Sequence, residues 1–200
     1  MPPEAEPVPL ESGIILAFDT SAAHCAAAVL SGDRVITRVE PMAKGQAERL
    51  VPMLDEVLAE AGVTWGDLAA IGVGTGPGNF TGIRIAVALA RGLALGLGVP
   101  AVGVTGFEAV AEAKRLVPPF TVAIAAPRGQ AYVADVPGAA RIVDDPPAEA
   151  HWLGDVAVQR LVEAIARVAR GRRGRERPKP FYLRGADAAP ASDPPPVILP

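Results

Sequence analysis

The sequence is poor in cysteine, histidine and aromatic residues, and these shortages exclude several classes of protein. The single cysteine, Cys25, excludes an internal disulfide and fits a reducing compartment; it lies in the apolar run 25–30, which indicates a buried packing thiol. The two histidines, His24 and His151, are far apart without metal-ligand spacing, and we interpret both as loop or surface residues. No nucleophile-elbow motif is present. The sequence therefore predicts neither a metal site nor catalytic residues.

Long uninterrupted apolar runs are also scarce. The longest, Ile83 to Val99, contains Arg84 and Arg91 and is too short and too charged for a membrane span. Residues 1–13 are rich in proline and glutamate and do not resemble a signal peptide. A net charge of −3 is too small to indicate a partner. We expect a cytoplasmic protein that does not contact a membrane.

Half of the residues are hydrophobic and a fifth are charged, as in a globular protein with a packed core. We predict a disordered Pro-rich tail at 1–13, an N-terminal lobe at 14–117, a shortened second lobe at 118–185 and a disordered tail at 186–200.

The order of predicted elements indicates the fold class. Three strands form an antiparallel meander over 14–40, and a helix at 44–61, with Pro52 near its first turns, precedes a strand at 69–74. A helix capped by Thr81 runs to Gly98, a strand follows at 101–104, and Thr105 caps a further helix. This βββαβαβα order is the half-unit of the α/β ribonuclease H-like, actin-like ATPase fold. A second meander at 120–135 and a helix at 156–169 make the reduced second lobe.

The turn Asp19-Thr20-Ser21 follows the first strand, where an ATP-using protein of this fold binds phosphate and metal-bound water. The alternative is a polar turn that satisfies its own backbone. A matching loop should follow the first strand of the second lobe, but residues 123–129 contain no acid. We therefore interpret the turn as a phosphate-loop remnant without ATP hydrolysis.

The glycine-rich segment 74–82 lacks the lysine of a P-loop and the spacing of a dinucleotide-binding loop. We favour a tight strand-to-helix turn that needs glycine. In the helix that follows, Ala88, Gly92 and Gly96 form a ridge of small residues. This ridge either packs within the lobe or closes against a partner subunit, and the sequence leaves both open.

The stretch 167–184 contains eight Lys or Arg and one acid, Glu176. It is typical of a solvated basic tail, and the alternative is a salt-sensitive contact with nucleic acid backbone.

Several segments together resemble the TsaB (YeaZ) family. They are Ile15-Leu-Ala-Phe-Asp-Thr-Ser21, Gly72-Val-Gly-Thr-Gly-Pro-Gly-Asn-Phe-Thr-Gly-Ile-Arg84, Gly92-Leu-Ala-Leu-Gly96, Val102-Gly-Val-Thr105 and Pro180-Phe-Tyr-Leu-Arg184. The resemblance covers residues 14–134 and returns at 180–184. Departures are Gln46, where the family usually has histidine, and 124–127, where it has Ile-Asp-Ala-Arg.

The resemblance implies a non-catalytic subunit in the biosynthesis of threonylcarbamoyladenosine in tRNA. Its partners would be a TsaD-like subunit, which holds ATP and metal, and a TsaE-like ATPase; this chain alone would bind no cofactor. The resemblance also implies a homodimer when the chain is alone, and contact with tRNA through the complex. The surface that would bind TsaD, or a second copy, falls on Gln46, Arg49, Leu50, Met53, Leu54, Arg84, Val87, Ala88, Arg91 and Leu95. The alternative is a sugar-kinase-like or glycoprotease-like enzyme of the same superfamily.

Overall fold

The computed structural model describes residues 13–172 and 176–183, which contain a five-stranded and a four-stranded sheet. The strands of the first sheet are β1 (Ile14–Asp19), β2 (His24–Ser31), β3 (Arg34–Pro41), β4 (Leu68–Gly74) and β5 (Ala101–Val104). Their order is β3-β2-β1-β4-β5. The first three are antiparallel, and β4 and β5 continue the sheet parallel to β1. The predicted α/β ribonuclease H-like arrangement is confirmed.

Four helices cover the two faces of this sheet: α1 (Gln46–Ala61), α2 (Phe80–Leu97), α3 (Gly106–Lys114) and α4 (Val158–Gly171). Leu16 and Phe18 of β1 face the core shared with α1 and α2, whereas Ile15 and Ala17 face the core shared with α3 and α4. Because successive side chains of a strand point to opposite faces, covering both faces buries nearly every residue of β1 and β2.

The helix starts differ from the sequence prediction by two residues in α1 and in α4, and the cap of α2 also differs. The N-cap of α2 is Asn79 rather than Thr81, because the side chain of Asn79 accepts a hydrogen bond from the Gly82 amide at 3.0 Å. Thr105 caps α3 as predicted, and Glu108 completes a capping box with it. Pro52 lies inside α1, in its second turn.

The second sheet has the order β8-β7-β6-β9. Its strands are β6 (Phe120–Ala125), β7 (Ala131–Val136), β8 (Ala140–Val143) and β9 (His151–Trp152). The first two match the predicted meander; the other two are short and were not predicted. The predicted last helix exists as α4, but its buried side chains lie in the core of the first sheet, with Ile15 and Ala17. The boundaries of the lobes, 14–117 and 118–185, stay predictions.

The predicted tails lie almost wholly outside the described residues: only Gly13 of the first is described, and it is buried. By length and composition alone, α2 could cross a membrane. Its inner side chains pack on the first sheet. The cytoplasmic location remains a prediction.

Candidate functional site

The turn between β1 and β2 is organised around the Asp19 carboxylate. Oδ2 of Asp19 accepts hydrogen bonds from the hydroxyl and the amide of Ser21, at 2.9 and 3.1 Å, and lies 2.8 Å from Nε2 of His24. His24 is buried in β2, so its interpretation as a loop or surface residue was wrong; His151 lies half-buried in β9. Ser21 and His24 bind the same carboxylate oxygen, which is not the serine-to-base contact of a hydrolase.

A side-chain amide holds this turn from the other side. Nε2 of Gln46 lies 2.7 Å from the carbonyl oxygens of both Ala22 and His24. The Thr20 hydroxyl donates to the Gly82 carbonyl at 2.6 Å, which joins the turn to the first turn of α2. Gln46 therefore stabilises the turn instead of lying on a partner surface, and the predicted role of Gln46 is corrected.

The single cysteine lies beneath the same region. Cys25 is fully buried, with Sγ 3.7 Å from the Gln46 carbonyl. Burial raises the pKa of its thiol to about 11, so the group remains protonated at neutral pH. The interpretation of Cys25 as a packing thiol is confirmed.

The glycine-rich segment packs backbone against backbone on the Asp19-Thr20-Ser21 turn. A Cβ on Gly82 would lie 1.8 Å from the Thr20 carbonyl oxygen, and a Cβ on Gly78 would lie 2.2 Å from that of Ser21. The Asn79 amide donates to the Ser21 carbonyl at 2.6 Å. These contacts support the structural role of the segment: glycine is needed because a side chain has no room there.

Little enclosed space remains beside the turn. A cavity of about 40 Å³ touches Asp19, Ser21 and His24, and its other walls include the apolar side chains of Leu153 and Leu161. That volume holds only about one or two water molecules. The Asp19 turn thus faces a nearly filled, mostly apolar space.

The structure separates the predicted partner surface into two groups. Leu50, Met53 and Leu54 of α1 are fully buried, and Val87 of α2 is 3% exposed. These four contact the first sheet and cannot also contact a partner, so they are corrected to core residues together with the buried Gln46. The residues that lie at the surface are Arg49, which is half-buried, and the exposed Arg84, Ala88, Arg91 and Leu95.

The outer face of α1 carries an ion-pair network. Nε of Arg49 donates to Glu40 of β3 at 2.7 Å, and its Nη1 donates to Glu56 at 2.9 Å. Arg38 of β3 also donates to Glu56, at 3.0 Å. The hydrogen bonds from Arg49 lower the pKa of both glutamates below the usual value. Arg49 therefore joins α1 to β3 in this chain.

The outer face of α2 is apolar and uncovered by the described residues. A Cβ added at Gly92 or Gly96 would meet no atom within 4 Å, and the side chain of Leu95 is 83% exposed. Ala88 is exposed on the same side. Of the two interpretations of the small-residue ridge, packing within the lobe is wrong for the described part of the chain.

Several cations of the basic stretch 167–184 have intramolecular partners. Nη2 of Arg167 lies 2.8 Å from Glu163, Arg170 donates to the Gly32 carbonyl at 2.6 Å, and Arg172 binds Glu108. These three cations therefore have partners within the chain, and both interpretations of the stretch, a solvated tail and a nucleic acid contact, stay predictions. Residues 173–175 and 184 lie outside the described residues.

Comparison with known proteins decides the family. A family model described as TsaD, tRNA N6-adenosine threonylcarbamoyltransferase, matches residues 40–179. The structure of YeaZ from Pseudomonas aeruginosa is 32% identical; the match covers 70% of this chain and 74% of that one, with a TM-score of 0.58. The chain belongs to the TsaB (YeaZ) family.

Other relatives of this TsaB-family chain agree. A solved protein from Pseudomonas aeruginosa described as similar to peptidase YeaZ matches at a TM-score of 0.68 and 28% identity, over 86% of this chain and 100% of that one. TsaB of Escherichia coli is 35% identical over 98 residues, 49% of this chain and 42% of that protein. TsaB of Buchnera aphidicola from Schizaphis graminum is 36% identical over 124 residues, 60% of this chain and 59% of that protein. The chain thus spans 42–59% of the length of these two curated relatives.

Proposed function

We propose that this chain is a non-catalytic partner subunit in the biosynthesis of threonylcarbamoyladenosine in tRNA. It binds a TsaD-like subunit, which carries ATP and metal, and stabilises that subunit's active conformation. The observation that carries the proposal is the outer face of α2, where Ala88, Gly92, Leu95 and Gly96 remain uncovered by the described residues. We call these four residues the α2 ridge. A partner that binds one conformation preferentially shifts the population toward it.

The geometry of the Asp19 turn supports a non-catalytic role. The Asp19 carboxylate is bound by Ser21 and His24, and the cavity beside it measures about 40 Å³, too small for a nucleotide. A kinase-like enzyme needs an open phosphate site with metal-positioning acids. Binding of ATP therefore belongs to the partner in this proposal.

The α2 ridge supports a helical partner. Small residues four apart allow the backbone of another helix to approach closely, and the exposed Leu95 supplies apolar area at the centre of such a contact. The same surface serves a second copy of this chain when no TsaD-like subunit is present. A TsaE-like ATPase and tRNA join through the complex.

The first experiment mixes the purified chain with the TsaD-like subunit of the same organism. We expect co-elution in size-exclusion chromatography and a gain in threonylcarbamoylation of tRNA. If the TsaD-like subunit is equally active alone, the proposal is wrong. Calorimetry of this chain with ATP and Mg²⁺ tests the enzyme alternative, which requires micromolar binding with turnover.

A matched pair of variants locates the surface. Gly92→Gln adds a neutral side chain on the α2 ridge, and Gly171→Gln adds the same side chain at the end of α4; neither site has an atom within 4 Å of the new Cβ. We expect Gly92→Gln to weaken association at least about tenfold, since an obstructed close packing typically costs 1–3 kcal/mol. Gly171→Gln should bind like the wild type. Equal binding by both variants excludes the α2 ridge as the contact.

A further inference from the structure

The segment 176–183 returns to the start of α2 after α4 has ended. The Phe181 amide donates to the Thr75 carbonyl at 2.9 Å, and the Phe181 ring meets Phe107 edge-on with centroids 6.2 Å apart. Phe181 and Leu183 both pack against the core under α3 and α4. Because neighbouring side chains of an extended segment point in opposite directions, Tyr182 between them faces α2.

Tyr182 and Phe80 hold the side chain of Arg84. The two rings stack with centroids 4.9 Å apart, and the Arg84 guanidinium carbon lies 3.7 Å from the centre of the Phe80 ring. Nε of Arg84 donates to the Tyr182 hydroxyl at 3.0 Å. Within residues 13–172 and 176–183, no other acceptor binds this guanidinium. Arg84 is exposed, so its two terminal nitrogens can donate to a molecule outside the chain.

The charges of α2 indicate the chemistry of that molecule. The helix carries Arg84 and Arg91 and no acidic residue. The two arginines are seven residues apart, about 10 Å along the helix axis, and both are exposed, as the α2 ridge is. A partner that covers the ridge must therefore bring carboxylates to avoid burying these cations unpaired. Two α2 helices packed on each other would instead bring arginines together, which makes a second copy the weaker occupant of the α2 ridge.

On the basis of the proposed function, we infer that Tyr182 is a positioning residue that orients Arg84 to bind a carboxylate of the TsaD-like partner. A guanidinium presents paired donors that match the two oxygens of a carboxylate. Ring stacking and the Nε hydrogen bond fix its plane before the partner arrives, which reduces the entropy lost on binding. The segment 176–183 is in this way part of the docking surface.

A double-mutant cycle tests the inference by calorimetric titration with the purified TsaD-like partner. We expect Arg84→Gln to weaken binding about 10- to 100-fold, the range for a charged hydrogen bond. Tyr182→Phe keeps the stacked ring but removes the acceptor of Nε, and we expect about 2- to 10-fold weaker binding. In the Arg84→Gln background, Tyr182→Phe should have no further effect on binding, because the Tyr182 hydroxyl affects the partner only by orienting Arg84.

Two more measurements, the salt dependence of binding and the melting temperature, distinguish a positioning role of Tyr182 from a role in packing alone. Binding by Arg84→Gln should depend less on salt concentration than binding by the wild type, and Arg84→Lys should recover the salt dependence but not the full affinity. Melting temperatures of all variants should stay close to that of the wild type, since both side chains are exposed. Additive effects of the two substitutions, or wild-type affinity in Tyr182→Phe, overturn the inference.

The outcomes distinguish this inference from the proposed function. If the wild-type chain does not bind the TsaD-like subunit, the proposed function fails. If it binds, and Gly92→Gln weakens binding while Tyr182→Phe and Arg84→Gln do not, only the role of Tyr182 and Arg84 fails. If these two substitutions weaken self-association alone, the occupant is a second copy and the carboxylate of the partner is excluded.

Discussion

The helices α1 and α2 pack on the same face of the first sheet, but their outer faces differ. Among the described residues, the outer face of α1 has partners, whereas the α2 ridge has none. The apolar side of α1 is buried, including Leu50, Met53 and Leu54, and its outer face forms ion pairs with β3 through Arg49. In α2 the last buried residue is Ala90, and the outer face exposes the α2 ridge. A helix with a charged outer face is stable in contact with water, whereas the exposed apolar outer face of α2 is the basis of the docking site proposed above.

The largest expected effect concerns the N-terminal end of α2, which is packed tightly on the Asp19-Thr20-Ser21 turn. Gly82→Ala places a methyl group 1.8 Å from the Thr20 carbonyl oxygen, so either the turn or the helix must move. We expect a loss of about 4 kcal/mol or more in the free energy of unfolding, at the upper end of single substitutions. Urea unfolding measures it. A loss below 1 kcal/mol would show that the turn and α2 are not in tight contact.

The next effect contrasts the buried and the exposed leucine of the two helices. Leu54→Ala removes a fully buried side chain from α1 and should cost about 3 kcal/mol of unfolding free energy. Leu95→Ala removes a side chain that is 83% exposed and should change stability by less than about 0.5 kcal/mol. Unfolding curves of the isolated chain, at concentrations where it is monomeric, provide the comparison. Equal losses contradict the assignment of Leu54 to the core and of Leu95 to the surface.

A smaller effect of opposite sign is expected on the α2 ridge. Gly92→Ala meets no atom within 4 Å and lies in an exposed helix, where alanine is favoured over glycine. The substitution should stabilise the isolated chain by about 0.5–1 kcal/mol. Thermal unfolding of the monomer is the measurement. Destabilisation would mean that Gly92 is already in contact with another part of the chain.

The smallest effect depends on pH and concerns the outer face of α1. Arg49 lowers the pKa of Glu40 and Glu56 in the folded chain. A carboxyl with a lowered pKa stabilises the fold above its ordinary pKa of about 4.5, and that stabilisation is lost as the pH falls through the lowered value. Arg49→Gln should therefore reduce the melting temperature slightly at pH 7, and the difference from wild type should shrink below about pH 4. A difference that stays constant from pH 7 to pH 3 excludes the ion pairs as its source.

Local signals in the chain were sufficient for most of the first lobe. The apolar runs of the first strands and the turn at Gly32 predict the meander, and Thr105 predicts the start of α3, because each signal acts within a few residues. The two-residue strand β9 was missed because its pairing with β6 is parallel and non-local. The burial of His24 was missed for a similar reason: the chemistry of a lone histidine does not show which carboxylate it will meet.

The partner surface shows the limit of reasoning from resemblance. Residue types carried over from a family identify two helices, but they do not say which side of each helix faces the sheet. Leu50, Met53, Leu54 and Val87 point inward, while Arg84 and Leu95 point outward. The rotation of a helix is set by packing against strands distant in the chain, and a helix such as α2, apolar almost all round, leaves that rotation undetermined by pattern.

The sequence by itself determined the fold class, the family and the structural need for glycine in the segment 74–82, because these depend on residue type, order and short spacing. Only the tertiary structure decided that residues 13–172 and 176–183 leave the α2 ridge uncovered, that Gln46 and His24 hold the Asp19 turn, and that Tyr182 meets Arg84. Those features join residues up to 98 positions apart. Their contacts exist only after the sheet has brought distant segments together.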